Sequence, residues 1–440
     1  MLRLWKIRPG GHSYYLEVAD GTGTGVEPAG VWLGKAVPDL GLSGHVEEDT
    51  LGSVLRGEHP LTAKALSNHQ NRVVVAGYDL TFCAPKSVSL LHALGDPEVS
   101  GEVAEGQRCA VESSVRYLED HALAVRRPVG DHRIPTPVRG MTAAAFLHRT
   151  SRALDPHLHT HVVVANLGQG EEGRWSALDG RGLYAHRAAA DAFYHSQLRH
   201  ELTSRLGVDW IEGRGGRADL VGISEEARFA FSRRSIAIAK ELESHGLAGT
   251  RATELAATRT RDPKDIALSP LDLKPSWRAR ASEVGLSPRQ LDRILDRTPR
   301  IEAASGSFRR EAAEVSVGVL KTLGEISPTA TRRQVMRTFC LALPKGAPRN
   351  EIEGAVDRIV GNLDAVRGPL GERSGPGVAE RQYQVTKHLG FELEEAKADQ
   401  RELKSARDTK ELDRLLAARG MGRAPDRTRG SELDLGVGLG

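Results

Sequence analysis

The sequence predicts an α+β chain: strands, two of them in an antiparallel hairpin, together with long amphipathic helices, followed by a mostly helical C-terminal region. Three observations predict it. Residues 72–82 (RVVVAGYDLTF) form a β-branched run suited to a central strand. Residues 141–150 (MTAAAFLHRT) and 157–166 (HLHTHVVVAN) read as two more strands, and the short, polar, proline-terminated stretch 151–156 between them suits an antiparallel hairpin. Apolar residues recur at helical spacing over 105–122, and again through Tyr194, Leu198, Leu202 and Leu206 within 184–206.

The remaining elements follow in order. Residues 2–7 alternate as a short strand, and Tyr14 and Tyr15, placed after Gly10 and Gly11, begin a new element. The Gly- and Thr-rich 20–30 reads as a loop. Pro85 ends the central strand, so 86–93 opens a helix. A turn at 168–173 precedes the second long helix, and the GRGG at 213–216 marks a break. From Ser224 the chain is helical and highly charged, with interruptions near Asp262, Pro275 and Ser287. Residues 331–363 form a small helical unit, 392–419 a charged helix, and 421–440 a polar, Gly-rich tail expected to be disordered.

Composition narrows the function classes. Lys and Arg number 61 against 58 Asp and Glu, a net charge of +3, so any nucleic-acid surface must come from segregated patches rather than from overall charge. Three widely spaced cysteines, Cys83, Cys109 and Cys340, fit a reducing compartment without a disulfide framework. Basic residues near the N-terminus are followed by no apolar h-region, and no apolar run approaches the roughly 18 residues that span a bilayer. The expectation is a cytoplasmic protein with no membrane insertion.

His148, His159 and His161 carry the chemistry. Residues two apart on a strand share a face, so His159 and His161 project side by side with Thr160 opposite. A hairpin partner strand brings His148 beside them, and three converging imidazoles make a metal site with open positions. His157 is a fourth candidate, less well directed at the strand start beside Pro156. Asp79 on the central strand is placed to orient one imidazole through its second nitrogen. These residues alone fit catalytic zinc for hydrolysis equally well. For Tyr14 and Tyr15 the bland assignment packs one ring and leaves the other in solvent. Beside a metal, a tyrosine becomes a nucleophile, because its pKa of roughly 10 calls for a cation to help it ionise.

The segments 146–166 (FLHRTSRALDPHLHTHVVVAN) and 77–89 (GYDLTFCAPKSVS), with the N-terminal Tyr-Tyr, resemble the TrwC-like conjugative relaxases, the MobF class of HUH endonucleases. The resemblance implies a palm-like (RRM/ferredoxin-like) antiparallel sheet flanked by helices. It also implies strand-specific nicking of single-stranded DNA beside a hairpin at an origin of transfer, through a 5′-phosphotyrosine intermediate that a second transesterification rejoins. Carried over by motif position, the nucleophile is Tyr14, Asp79 orients a histidine or assists tyrosine deprotonation, and His148, His159 and His161 bind a divalent ion. That ion is expected to be Mg²⁺ or Mn²⁺, although imidazoles also suit Zn²⁺ and other transition metals. Relaxosome accessory proteins and a coupling protein are the implied partners.

The pattern departs from the family in three places. Cys83 stands where Ser is usual, and 16–35 holds no second tyrosine pair. Larger relatives carry a helicase, but the nearest approach to a phosphate-binding loop here, 29–36 (AGVWLGKA), has Ala29 and Ala36 where Gly and Ser/Thr are required. ATPase and helicase activity are therefore not expected. The expected organisation is a relaxase domain at 1–300 (sheet core 1–215, helical extension 216–300), a helical region at 301–420 resembling the relaxase–helicase connector, and the tail. A histidine-metal phosphodiesterase and a non-catalytic DNA-binding remnant are the competing classes.

Overall fold

The structure, a computed structural model, describes residues 2–11, 15, 27–67, 74–213, 217–246, 249–260, 269–295, 304–363 and 382–384. In chain order, the first half holds β1 (Arg3–Ile7), β2 (Val31–Leu33), α1 (Glu48–Leu55), β3 (Gly77–Cys83), α2 (Lys86–Leu94), α3 (Pro97–His121), β4 (Ala124–Val129), β5 (His132–Pro137), β6 (Ala143–Thr150) and β7 (Pro156–Ala165). There follow β8 (Gly168–Gln169), β9 (Trp175–Ser176), α4 (Arg181–Leu206), β10 (Trp210–Glu212), β11 (Ala218–Leu220), α5 (Glu225–Ala230), α6 (Arg233–Ser244), α7 (Thr250–Arg259), α8 (Pro270–Glu283) and α9 (Pro288–Ile294). The last described elements are α10 (Ala304–Ile326), β12 (Thr329–Thr331), α11 (Arg332–Ala342), α12 (Arg349–Gly361) and β13 (Gln382–Gln384).

Five strands form one sheet in the order β1-β3-β7-β6-β2, each antiparallel to its neighbours. The expected fold class is therefore found, with the expected hairpin as β6–β7. Strand periodicity sorts the sheet into two different faces. On one, Leu80, Phe82, Leu158, Val162 and Val164 join a buried cluster with Val103, Val111, Val115, Phe193 and Leu198 of α3 and α4. On the other, Ala144, Phe146, Val163 and Ala165 pack with Ile7, Tyr15, Leu51, Val54 and Leu55. That second layer is thin: Gly30 lies so close to Phe146 that an added Cβ would sit 2.3 Å from its ring. Beyond it, at the far end of β6 and β7, the same face carries histidines instead of hydrocarbon.

The long helices begin earlier than their periodicity suggests. α3 starts at Pro97 because Asp96 caps it, accepting from the Val99 amide at 2.8 Å, and Pro97 gives up no amide the first turn needs. α8 and α11 each open on a capping box, Ser269 with Asp272 and Thr331 with Gln334. The β4–β5 ribbon was not expected, since Pro128, Pro135 and Pro137 delete ladder donors; a two-stranded ribbon outside the main sheet tolerates them. The phosphate-loop lookalike at 29–36 is instead the edge strand β2 followed by Gly34 at φ 118°. α11 docks on α4, where buried Arg199 donates to the carbonyls of Cys340 and Leu343 at 2.8 and 2.9 Å. The loop at 20–26, the charged helix at 392–419 and the tail at 421–440 lie outside the described residues. No helix among the described residues is long and apolar enough to cross a membrane.

Candidate active site

The register of three strands assembles the site. His159 pairs with His148 across the hairpin and with Cys83 on β3, while His161 pairs with Phe146 and Thr81. Residues directly opposite share a face, so the three histidines stand together on the side away from α3 and α4. Their ring centroids lie 4.9–5.2 Å apart. One ligand nitrogen from each falls within 4.8 Å of the others, a spacing that a single ion can bridge. His148 is buried and His159 is partly exposed, which leaves an open side.

Two of the three imidazoles are oriented by their second nitrogen. His161 Nδ1 donates to the Asp79 carboxylate, 2.9 Å from Oδ2 and 3.0 Å from Oδ1. His159 Nδ1 donates to the carbonyl of His157 at 2.9 Å. Each therefore keeps its Nε2 lone pair for a ligand, the arrangement a metal-binding histidine requires. The donor set fits a divalent ion that accepts nitrogen.

Asp79 is buried and serves several donors. The Tyr15 hydroxyl donates to its Oδ2 at 2.9 Å, and Thr81 Oγ1 lies 3.3 Å from its Oδ1. Tyr15 is held there by its ring, stacked on Phe146 at 5.8 Å and edge-on to His161 at 5.3 Å. Tyr14 lies outside the described residues. His157 stacks on His159 at 4.7 Å but falls outside the three-histidine set. Burial, then its neighbours His159 and Lys86, hold its pKa well below the ordinary histidine value.

Several supporting residues escaped the sequence reading. Asp155, the buried acid at the hairpin tip, accepts from Arg233 Nε and Arg280 Nη2 at 2.9 and 2.6 Å and from the Arg233 amide at the start of α6. Trp277 Nε1 donates to the Leu154 carbonyl, so the helical extension grips the hairpin directly. Lys86, at the start of α2, donates to the Pro156 carbonyl at 2.7 Å, and burial lowers its amine to about 8. Buried Glu27 accepts from Arg149 Nε and the Arg149 amide, both at 2.8 Å, beside His148. In sequence these residues give little more than an acid in a turn and a lysine after a proline.

The TrwC relaxase family matches residues 6–284. Two relatives, both the multifunctional conjugation protein TraI of Escherichia coli (the second from strain K12), are 30% identical over 353 residues and 29% over 351. Each match takes in 76% of this chain and 19% of the relative, so the chain spans about a fifth of their length. The metal-bound structure of the conjugative relaxase TrwC in complex with oriT DNA superposes with a TM-score of 0.59 at 27% identity, covering 65% of this chain and 99% of TrwC's. A metal-free TrwC–oriT complex gives 0.58 at 28%, covering 65% and 100%. TrwC with a 27-mer comprising the recognition hairpin and the cleavage site gives 0.57 at 28%, covering 65% and 99%. With that match running through well over half its length and across both strands that carry the three histidines, the chain belongs to the TrwC relaxase family.

Proposed function

We propose that this protein nicks and rejoins one DNA strand at an origin of transfer, forming a 5′-phosphotyrosine intermediate that starts conjugative transfer of a plasmid or integrative element. The observation that carries the proposal is the cluster of three histidine ligand atoms within 4.8 Å of one another, with Asp79 and a tyrosine hydroxyl hydrogen-bonded beside it. The TrwC complexes with oriT DNA support the substrate class.

His148, His159 and His161 would hold the ion, Mg²⁺ or Mn²⁺ in the family's manner, with Zn²⁺ or another transition metal also suited to imidazole. When bound, a divalent cation neutralises charge on the scissile phosphate and lowers the pKa of a nearby hydroxyl. Asp79 fixes the His161 ring and, as a buried carboxylate taking a tyrosine O–H, marks where a phenolic proton can go. The tyrosine oxygen attacks phosphorus, its proton leaves to a base, the P–O3′ bond breaks, and the 3′ oxygen takes up one proton in return to depart as a hydroxyl. The reverse attack by that hydroxyl rejoins the strand and frees the tyrosine. No phosphodiester energy is lost, so neither step calls for a nucleotide.

Tyr14 is the proposed nucleophile, as the first of the pair. One observation favours the other assignment: the Tyr15 hydroxyl already sits 2.9 Å from Asp79 Oδ2. The extension to about residue 300 belongs to the relaxase, and the helical region beyond resembles a connector towards a helicase. The setting is cytoplasmic, with a coupling protein and accessory DNA-binding proteins as partners. The test is the chemistry of the product ends. Nicked DNA should carry a protein-blocked 5′ end and a 3′ hydroxyl that a polymerase extends. A free 5′ phosphate would instead support a histidine-metal hydrolase.

A further inference from the structure

The residue between the two histidines of β7 is polar and faces the wrong way for the site. Thr160 points into the core under α3 and α4, where its neighbours along the strand, Leu158, Val162 and Val164, are hydrocarbon. A buried hydroxyl there needs a partner, and α3 supplies one. Gln107, fully buried, donates through Nε2 to Thr160 Oγ1 at 3.2 Å and to the Phe82 carbonyl at 3.3 Å. Phe82 is the registered partner of Thr160 on β3, flanked by the pairs Thr81–His161 and Cys83–His159. The remaining amide oxygen accepts from the Tyr194 hydroxyl of α4 at 2.6 Å, and the Tyr194 ring packs on Phe82 at 5.3 Å.

We infer that Gln107, locked by Tyr194, is a positioning residue for the metal centre: it clamps β3 to β7 at the one register position between the two histidine pairs. The inference rests on the proposed metal-binding role of the histidines. Its physical basis is the geometry of a strand. His159 and His161 converge on one ion only if the twist and spacing of the backbone between them are held, and Thr160 is that backbone. An apolar residue at 160 fills the same volume but leaves the pair free to adjust. The amide fixes it with directional bonds on both strands at once, in a dry core where such bonds are strongest. All of the hydrogen-bonding groups of the Gln107 side chain that these contacts use are spent on the clamp, none on solvent. Gln107 acts from the opposite side of the sheet and touches no substrate.

The test titrates the full-length protein with Co²⁺, following its visible ligand-field bands. Thr160→Val and Gln107→Leu keep volume but break the clamp; each should weaken Co²⁺ binding about tenfold and shift the bands, as outer partners of a metal site do. Thr160→Ser should restore both affinity and spectrum. Tyr194→Phe, which deletes only a hydroxyl, should give a smaller shift in the same direction, and stands in should either larger change unfold the chain. A merely structural clamp would lower the melting temperature and leave the Co²⁺ affinity and bands of the folded protein as in wild type; that result overturns the inference. Wild type that binds no Co²⁺ at all would instead overturn the metal reading of the histidines, and the inference with it.

Discussion

Replacing Asp79 by Asn changes the site by little more than one oxygen for one nitrogen. In the folded chain both carboxylate oxygens accept. Oδ2 takes the Tyr15 hydroxyl and His161 Nδ1, each at 2.9 Å, and Oδ1 lies 3.0 Å from His161 Nδ1 and 3.3 Å from Thr81 Oγ1. Asn keeps one acceptor and puts an NH₂ donor where the second stood. With the amide oxygen in the place of Oδ2 it still accepts from Tyr15 and His161, but without the full negative charge, and the NH₂ is set 3.0 Å from the same His161 N–H. With the amide turned over, Tyr15 loses its acceptor and the NH₂ crowds the His161 N–H from the Oδ2 side. Either way a buried, charge-assisted hydrogen bond is lost, about 1.5–3 kcal/mol. At 1.4 kcal/mol per tenfold this is roughly a 10- to 150-fold loss, in line with the 10–100-fold typical of outer partners of metal-bound histidines. The assay is Mn²⁺ affinity by calorimetry, beside the yield of covalent protein–DNA adduct at saturating Mn²⁺. The account expects both to fall, the affinity by at least about tenfold. Mn²⁺ affinity within about twofold of wild type would refute the orienting role.

Three further outcomes follow from the same geometry. His159→Ala with His161→Ala should abolish nicking while leaving DNA affinity largely intact, because phosphate contacts dominate it; a chelator should act alike on wild type, and undiminished nicking would remove the metal mechanism. Asp155→Ala strands Arg233 and Arg280 at the hairpin tip and should destabilise the fold by about 2–3 kcal/mol, allowing for the partial exposure of both arginines, read as a lower urea midpoint. Burial lowers the Lys86 amine from 10.5 to about 8. Below pH 8 folded and unfolded chains both hold the proton, and the cost of the buried charge is fully present. From pH 8 to 10.5 the unfolded chain binds a proton the folded chain has released, so stability rises with pH, by up to about 3 kcal/mol. Lys86→Met should flatten that rise when urea midpoints are compared across this window; an identical pH profile in the two proteins would contradict it.

Much of this was legible because strand periodicity is simple. Two histidines two apart on a β-branched run share a face in any register, and a short proline-ended turn leaves His148 few other places to go. Asp79 could be placed on the central strand for the same reason. What stayed hidden depends on contacts between elements distant in sequence. Nothing near Gln107 marks it as the partner of Thr160, and Asp155 reads as an ordinary turn acid until α6 and α8 bring Arg233 and Arg280 to it. The β4–β5 ribbon was hidden by its prolines, and the true start of α3 by Gly101 and Gly106 within its first turns. The tyrosine pair shows the limit of periodicity: adjacency says that only one ring can aim at the metal, and the structure gives Tyr15 a definite seat on Asp79.

The most direct test of the central claim is to incubate the protein and Mn²⁺ with single-stranded oligonucleotides tiled along the DNA adjoining its coding sequence, then resolve the products under denaturing conditions and map the peptide that carries nucleotide. The account predicts a covalent adduct on Tyr14, abolished by Tyr14→Phe with folding and DNA binding intact, and retained in large part by Tyr15→Phe. Nucleotide mapped to Tyr15 would overturn the assignment of the pair, and cleavage without any covalent adduct would contradict the transesterase itself.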